Sequence, residues 1–129
     1  MIVGLGNDVC NIDRVEQVLQ KFDLRFVSRL FSPAEQEELK NTGQKRAAAV
    51  AKKFAAKEAF VKALGCGFVD GICWSDVEVL HESGGRPYLQ IGGRAAEKLN
   101  ALAKKSRLWL TLSDDAPVAA AVVIIETAE

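Results

Sequence analysis

The sequence predicts a single α+β domain in which helices pack on a mostly antiparallel sheet. Four segments carry helix signals, either apolar residues at helical spacing or a capping pattern, whereas segments in the second half of the chain read as strands. The chain has 129 residues, of which 49% are apolar and 26% are charged. This length and composition suit one hydrophobic core.

The first predicted element is a short buried strand over residues 2–6. Its glycines, Gly4 and Gly6, indicate that the backbone of this strand runs close to another part of the chain. Asp8 then belongs to a polar step at the end of the strand. Residues 12–22 place their apolar side chains on one helical face, which predicts the first helix.

Two more helices are predicted in the middle of the chain. Ser32 suits an N-cap, a proline follows at the first helical position, and Glu35 completes a capping box, so a helix begins here and ends near residue 40. Residues 47–64 form the longest helical pattern, which is rich in Ala and Lys and contains no Gly or Pro. Gly65 stands at the expected C-cap of this helix.

The second half of the chain is predicted to form strands around one helix. Residues 74–80 and 86–91 alternate as strands, and a Gly-Gly turn joins them. Residues 94–105 have helical spacing. Residues 108–112 and 118–125 are predicted to form a closing hairpin. No internal repeat, low-complexity tract or linker divides the sequence, so we expect residues 1–129 to form one domain.

Composition argues against several classes of protein. Seventeen Lys and Arg residues balance seventeen Asp and Glu residues, so the formal net charge is zero and a general nucleic-acid binder is not expected. No apolar run reaches the roughly 18 residues that span a bilayer, and the N-terminus lacks the pattern of a signal peptide. Cys10, Cys66 and Cys73 match neither a disulfide framework nor a zinc pattern, and we expect reduced thiols in a cytoplasmic protein.

The zero net charge conceals a strongly basic segment. From Lys40 to Lys62 there are seven basic residues and a single acid, Glu58, which gives a net charge of +6 over 23 residues. Because the segment itself supplies so few acids, two interpretations stay open. It is either a site for a ligand with several phosphates or a surface helix with a chance bias.

Asp8 and Glu58 are the candidate catalytic carboxylates. Glu58 lies one helical turn before Lys62, and an ordinary i, i+4 salt bridge would explain that spacing. Asp8 is explained equally well as a turn residue. Taken together, however, a carboxylate that follows a strand and one on a basic helix can hold magnesium with the oxygens of a diphosphate, while lysines neutralise its charge.

Other chemistry finds little support in the sequence. Gly4 and Gly6 begin like a dinucleotide-binding fingerprint, but the third glycine is missing. His81, the only histidine, has no evident partner and is expected at the surface. Cys66 and Ser113 lack the neighbouring histidine of an activated nucleophile.

Three segments resemble the holo-[acyl-carrier-protein] synthases, the small trimeric class of 4′-phosphopantetheinyl transferases. The first is Gly4-Leu5-Gly6-Asn7-Asp8 with Ile12 and Arg14, the second covers residues 29–35, and the third covers residues 54–67. The third segment is the most specific, with the pattern F-x-x-K-E-x-x-x-K-A-x-G. Residues 74–80, 85–87 and 111–125 are also similar to this family. The resemblance implies the 4′-phosphopantetheinyl transferase fold.

The resemblance also implies a reaction. The phosphopantetheine arm of coenzyme A would be transferred to a serine of an apo acyl carrier protein, with release of 3′,5′-ADP. The phosphates of coenzyme A would then account for the basic segment. Two alternatives stay open, namely a non-catalytic module that binds a nucleotide or a carrier protein and a magnesium-dependent phosphoanhydride hydrolase. The sequence does not choose among carrier proteins or decide whether acyl-coenzyme A donors are used.

Individual roles are implied by position in the matched segments. Asp8 and Glu58 would hold Mg²⁺ against the diphosphate, and Lys62 would stabilise charge on the transferring phosphate. The residues implied in coenzyme A binding are Lys45, Arg46, Phe54, Lys57, Glu58, Lys62, Gly65, Gly67, Arg86 and Pro87. Lys45 and Arg46 correspond to the region of the 3′-phosphate.

The family resemblance implies a homotrimer with active sites at its subunit interfaces, so that Arg86 and Pro87 would come from a neighbouring subunit. The first helix would receive the acidic carrier protein. The residues implied in docking are the cations Arg14 and Arg25 and the apolar Val18 and Phe26. Contacts of this kind set the rate and orientation of encounter and weaken with salt.

Two positions depart from the family pattern. Asn11 stands where many members have a glutamate, and Asp114 stands where many have a histidine. The second departure removes a histidine as acceptor of the serine proton. A metal-bound water, Glu58 or Asp114 is left for that role.

Overall fold

The protein is described by a computed structural model over residues 1–69 and 71–128, in which two antiparallel sheets surround a central helix. The strands are β1 (Ile2–Asn11), β2 (Val77–His81), β3 (Pro87–Ile91), β4 (Ser106–Asp115) and β5 (Val118–Thr127). The helices are α1 (Ile12–Leu30), α2 (Pro33–Leu39), α3 (Arg46–Leu64) and α4 (Gly93–Leu102). The predicted α+β fold class with antiparallel pairing is confirmed.

The larger sheet has the strand order β1-β5-β4, and the smaller sheet pairs β2 with β3. The central strand β5 alternates between two faces, as a strand with one buried side does. Its inner row is almost completely buried and consists of Ala119, Ala121, Val123 and Ile125. This row packs with α3 in the core, which therefore lies between the three-stranded sheet and the long helix.

β1 lies directly on α3 at two glycines. A Cβ atom on Gly4 would overlap the carbonyl oxygen of Ala63, and one on Gly6 would overlap that of Ala59. Because glycine has no Cβ, the two backbones can touch here. The predicted close approach is confirmed, and it carries Asp8, two residues farther along the same strand face, to the edge of α3.

Residues at the ends of the helices form caps in the structure. Asn11 caps α1 by accepting a hydrogen bond from the backbone N–H of Arg14 at 3.0 Å. Ser32 and Glu35 form the predicted capping box of α2. Gly65 ends α3 in the left-handed conformation with φ of 83°, which glycine adopts without strain.

Several bounds differ from those predicted. β1 continues past Asp8 because every residue from 4 to 11 pairs with β5, so the prediction that Asp8 stands at a strand end was wrong. α1 continues to residue 30 across a kink at Phe22, whose φ of −138° is non-helical. Trp74–Asp76 forms a 3-10 turn before β2 instead of the start of a strand.

Within residues 1–69 and 71–128, no helix combines the length and apolarity needed to cross a membrane.

Gly6→Ala should lower the free energy of unfolding by about 2–3 kcal/mol, because the new methyl group would push β1 away from the Ala59 carbonyl. Urea denaturation measures this loss. The matched control is Gly84→Ala, since a Cβ there meets nothing within 4 Å and should change the free energy by less than about 0.5 kcal/mol. Equal stability of the two variants would contradict the close backbone contact.

Candidate active site

Asp8, Glu58 and Lys62 lie together where β1 crosses α3. The ammonium group of Lys62 donates to Asp8 Oδ1 at 2.8 Å and to the Asn7 carbonyl oxygen at 3.1 Å. On α3, Phe54, Glu58 and Lys62 are spaced four residues apart and therefore follow one stripe of the helix. The structure thus brings these three predicted charged residues to one place.

The two carboxylates carry more negative charge than their lysine balances. Burial and the charge of Asp8 raise the pKa of the Glu58 carboxyl. A hydrogen bond to Asp8, together with the charge of that carboxylate, raises the pKa of Lys62. Burial, followed by the charges of Asp8 and Glu58, also raises the pKa of the nearby Cys10 thiol. The charge of Asp8 contributes to all three pKa shifts, and burial is the larger cause for Glu58 and Cys10.

This donor set fits a magnesium ion shared with a substrate. Hard dications bind carboxylate oxygens and complete their shell with phosphate oxygens and waters. Among the residues described, no group of three or more His, Cys, Asp and Glu side chains could hold a metal ion. Asp8 and Glu58 therefore suit a cation that arrives with a ligand of its own rather than a closed protein site.

Lys57 points into the interior and not toward the carboxylates. It is completely buried, and its Nζ donates to Glu35 Oε1 at 2.8 Å and to the carbonyl oxygens of Trp74 and Val77 at 2.8 and 2.6 Å. An ammonium group has three hydrogens, so none is left for a phosphate. Burial lowers the pKa of Lys57, and the charge of Glu35 opposes this effect. The predicted contact of Lys57 with coenzyme A does not fit this geometry.

The basic segment from Lys40 to Lys62 is neutralised by acids from outside it. Six of its seven cations form ion pairs of 2.7–3.0 Å with such acids. The pairs are Lys40–Glu37, Arg46–Asp23, Lys52–Asp114, Lys53–Glu38, Lys57–Glu35 and Lys62–Asp8. Lys45 has no ion pair within the described part of the chain. The count of charges along the sequence therefore overstated the positive charge available to a ligand.

Arg46 and Lys45 have different surroundings. Arg46 donates two hydrogen bonds to Asp23, at 2.7 and 3.1 Å, and a third to the Leu39 carbonyl at 3.0 Å, so it joins α3 to α1 and α2. Lys45 lines a cavity of about 720 Å³ together with Asp114. None of the described contacts joins this cavity to the carboxylates of the site.

An aromatic row borders the Glu58 stripe. The Phe54 ring stacks on Trp74 with centroids 5.2 Å apart, and Trp74 stacks in turn on Phe68 at 3.7 Å. Phe26 of α1 lies 6.4 Å from Phe54 between centroids. Trp74 and Phe68 were not predicted as site residues, because both lie outside α3 and no periodic pattern links them to that helix.

α1 contributes a groove of about 750 Å³ at its kink. Its lining includes three of the predicted docking residues, Val18, Arg25 and Phe26, and a further cation, Arg29, that the sequence analysis did not select. Arg14 lies one turn before Val18 on the same helix. The kink opens this groove, and no proline or glycine marks it in the sequence.

Arg86 and His81 have partners that their sequence neighbours do not reveal. Arg86, in the turn between β2 and β3, places its guanidinium carbon 5.9 Å from the Trp109 ring centroid. No described contact joins Arg86 or Pro87 to Asp8, Glu58 or Lys62 of the same chain. His81 is exposed as expected, but its Nδ1 lies 2.8 Å from Glu38 Oε1, so the expectation of a histidine without a partner was wrong.

The chain matches the model of the 4′-phosphopantetheinyl transferase superfamily over residues 4–122 and belongs to that family. It is 47% identical over 130 residues to the holo-[acyl-carrier-protein] synthase of Paramagnetospirillum magneticum, with 98% of this chain and 97% of the relative covered. The predicted family and enzyme class are confirmed.

Solved structures agree with the sequence relatives. The holo-[acyl-carrier-protein] synthase of Neisseria meningitidis has a TM-score of 0.87 at 31% identity, covering 98% of this chain and all of that one. The synthase of Bacillus anthracis, solved in complex with CoA (3′,5′-ADP), has a TM-score of 0.81 at 30% identity, with 99% of each chain covered. The fold is therefore the one that the family resemblance implied.

Lys57→Met should lower the free energy of unfolding by about 3–5 kcal/mol, because the buried Glu35 would lose its cation. Lys62→Met removes a pair whose lysine is 53% exposed and should shift the melting temperature by less than about 3 °C. Urea and thermal denaturation of the two variants measure the difference. Equal destabilisation would show that the two lysines of the motif do not have separate roles.

Proposed function

We propose that this protein transfers the 4′-phosphopantetheine group of coenzyme A to a serine of an apo acyl carrier protein, releasing 3′,5′-ADP. The observation that carries this proposal is the junction of Asp8, Glu58 and Lys62 at the crossing of β1 and α3 in a chain of this family. Relatives named holo-[acyl-carrier-protein] synthase and a structural neighbour in complex with CoA support the choice of substrates.

In this proposal Asp8 and Glu58 hold Mg²⁺, whose chemistry is to polarise the diphosphate and neutralise its charge. Lys62 is on the same stripe of α3 as Glu58, one turn farther on, and is exposed enough to reach a phosphate oxygen. Its positive charge then stabilises the charge that develops on the transferring phosphate. The backbone turn at Gly65 and Gly67 leaves room for the ligand, since a Cβ at either position meets nothing within 4 Å.

We assign the 3′-phosphate of coenzyme A to the cavity lined by Lys45 and Lys52. Lys45 has no ion pair within residues 1–69 and 71–128, whereas the guanidinium of Arg46 already donates three hydrogen bonds to Asp23 and Leu39. In this proposal Arg46 joins the start of α3 to α1 and α2 beside the cavity, and Lys45 is the cation that meets the phosphate. Phe54 and its stacked partner Trp74 form the apolar side of the donor site.

The carrier protein is assigned to α1. Arg25 and Arg29 line the groove at the kink and match the acidic surface of a carrier protein, while Val18 and Phe26 supply apolar contact. The contact between Phe26 and Phe54 links this groove to the Glu58 stripe. A carrier protein bound in the groove of α1 would hold its serine beside the phosphates of coenzyme A.

The serine proton needs an acceptor close to the reacting phosphate. Glu58 lies at the site, as would a water held by the metal. Asp114 pairs with Lys52 at 3.0 Å and makes no described contact with the carboxylates of its own chain. In this proposal Asp114 therefore acts only if it reaches the site across a subunit interface.

We also propose that residues 1–129 act as one domain within a homotrimer. The outer face of the β1-β5-β4 sheet exposes apolar side chains that a single chain leaves in water. They are Leu5, Val9, Trp109 and Val118, each between 41% and 66% exposed. A face of this kind is typical of a subunit contact, and it lies next to Arg86, which packs on Trp109.

Intact-protein mass spectrometry tests the reaction. With coenzyme A and Mg²⁺, an apo carrier protein should gain the mass of one phosphopantetheine arm, and a chelator should prevent the gain. Asp8→Asn and Glu58→Gln should lower the rate at least about 100-fold while the protein stays folded, because each removes a ligand of the metal. Release of 3′,5′-ADP without a carrier would identify a hydrolase, and ligand binding without product would identify a binding module.

Complementation tests the shared active site. Asp8→Asn and Arg86→Ala should each be nearly inactive alone. A mixed trimer should regain about one third of native activity, because one of its interface sites then combines a native Asp8 with a native Arg86. Differently tagged subunits allow the mixed trimers to be purified and assayed. No recovery in a confirmed mixed trimer would place both residues in the site of one chain.

A further inference from the structure

Lys62 binds the carboxylate that the proposed metal site requires. Its Nζ lies 2.8 Å from Asp8 Oδ1, so the ammonium group competes for a carboxylate oxygen that a metal ion would use as a ligand. We propose that Lys62 is a placeholder cation, which neutralises Asp8 in the free protein and must leave it before a divalent ion is bound. This inference rests on the proposed function and adds an order of events to it.

The structure makes Lys62 the mobile partner of the pair. Its side chain is 53% exposed, and its only described acceptors are Asp8 and the Asn7 carbonyl. An ion pair with this much exposure is readily exchanged. Lys57 shows the contrast, since the same type of side chain with three buried acceptors cannot leave its position.

Asp8 is the fixed partner. Its side chain is 18% exposed, and it stands in the paired part of β1 opposite Ala121. Two residues earlier, Gly6 holds the strand against the backbone of α3. The carboxylate therefore has little freedom to follow the lysine, and exchange of cations at Asp8 means displacement of Lys62.

The charges of Asp8, Glu58 and Lys62 indicate which ligand can displace Lys62 from Asp8. With Lys62 on Asp8, the three charged side chains carry a net charge of −1, and a dication approaching alone meets a positive group already in contact with its ligand. The diphosphate of coenzyme A offers Lys62 a second anionic partner and offers the metal more oxygens. Coenzyme A should therefore raise the affinity of the protein for the metal ion. Because the coupling between two binding sites is reciprocal, the metal ion should raise the affinity for coenzyme A by the same factor.

The test measures Mn²⁺ affinity by electron paramagnetic resonance, with and without coenzyme A, for the native protein and for Lys62→Met. Without coenzyme A, Lys62→Met should bind Mn²⁺ about 5–10-fold more tightly than the native protein. Adding coenzyme A should raise the Mn²⁺ affinity of Lys62→Met by a smaller factor than it raises that of the native protein. Lys104→Met makes the same change in net charge at an exposed position after α4 and should leave both affinities unchanged.

A second measurement separates contact from simple repulsion. In the lysine ammonium NMR spectrum, the Lys62 signal of the native protein should shift in Asp8→Asn, and it should shift when Mg²⁺ and coenzyme A are added together. An identical Lys62 signal in native protein and Asp8→Asn would overturn the placeholder role, because it would show that the contact is absent in solution.

The outcomes also separate this inference from the proposed function. If the native protein binds no Mn²⁺ even with coenzyme A, the proposed metal site itself fails. If coenzyme A promotes Mn²⁺ binding to the native protein but Lys62→Met alone binds Mn²⁺ no more tightly than the native protein, only the placeholder role is overturned. The melting temperature of each variant confirms that it is folded.

Discussion

Gly4 and Gly6 let β1 lie against the backbone of α3 with no side chain between them. An aspartate two residues farther along the strand then faces the last two turns of the helix, where Glu58 and Lys62 project from one stripe. The distances at the site follow from this contact, because a larger residue at either glycine would move Asp8 away from the helix. The metal-binding chemistry proposed for the two carboxylates therefore depends on two residues that take no part in it.

A second constraint on α3 comes from the buried carboxylate of Glu35. Glu35 accepts hydrogen bonds from the backbone N–H groups of Ser32 and Val79, both at 3.0 Å, as well as from Lys57. One buried carboxylate thus joins the start of α2, the middle of α3 and β2. Adjacent helical residues point about 100° apart, which explains how the neighbours Lys57 and Glu58 serve the interior and the site, respectively. The helix that carries the proposed catalytic residues Glu58 and Lys62 is therefore held by the glycine contact with β1 and by the buried Lys57–Glu35 ion pair.

Much of the architecture was predictable because it depends on local signals. The capping box at Ser32 and the C-cap at Gly65 are each written in a few consecutive residues. The kink of α1 at Phe22 and the continuation of β1 through Asp8 depend on packing and on pairing with a distant strand, so no local pattern could show them. Within the site, spacing indicated the stripe of Glu58 and Lys62, but the burial of Lys57 depends on α2 and β2.

The basic segment shows why a count of charges is a poor measure of a binding site. Its cations looked unbalanced because the acids that pair with them come from other elements, such as Asp23 on α1 and Asp114 at the end of β4. Once these pairs are made, Lys62 still has one ammonium hydrogen for a ligand. In the proposed exchange it also gives up Asp8, which can then accept a different cation. In this proposal the empty site keeps a net charge of −1, because Lys62 balances only one of the two carboxylates. Such a site favours a ligand that brings an anion and a dication together.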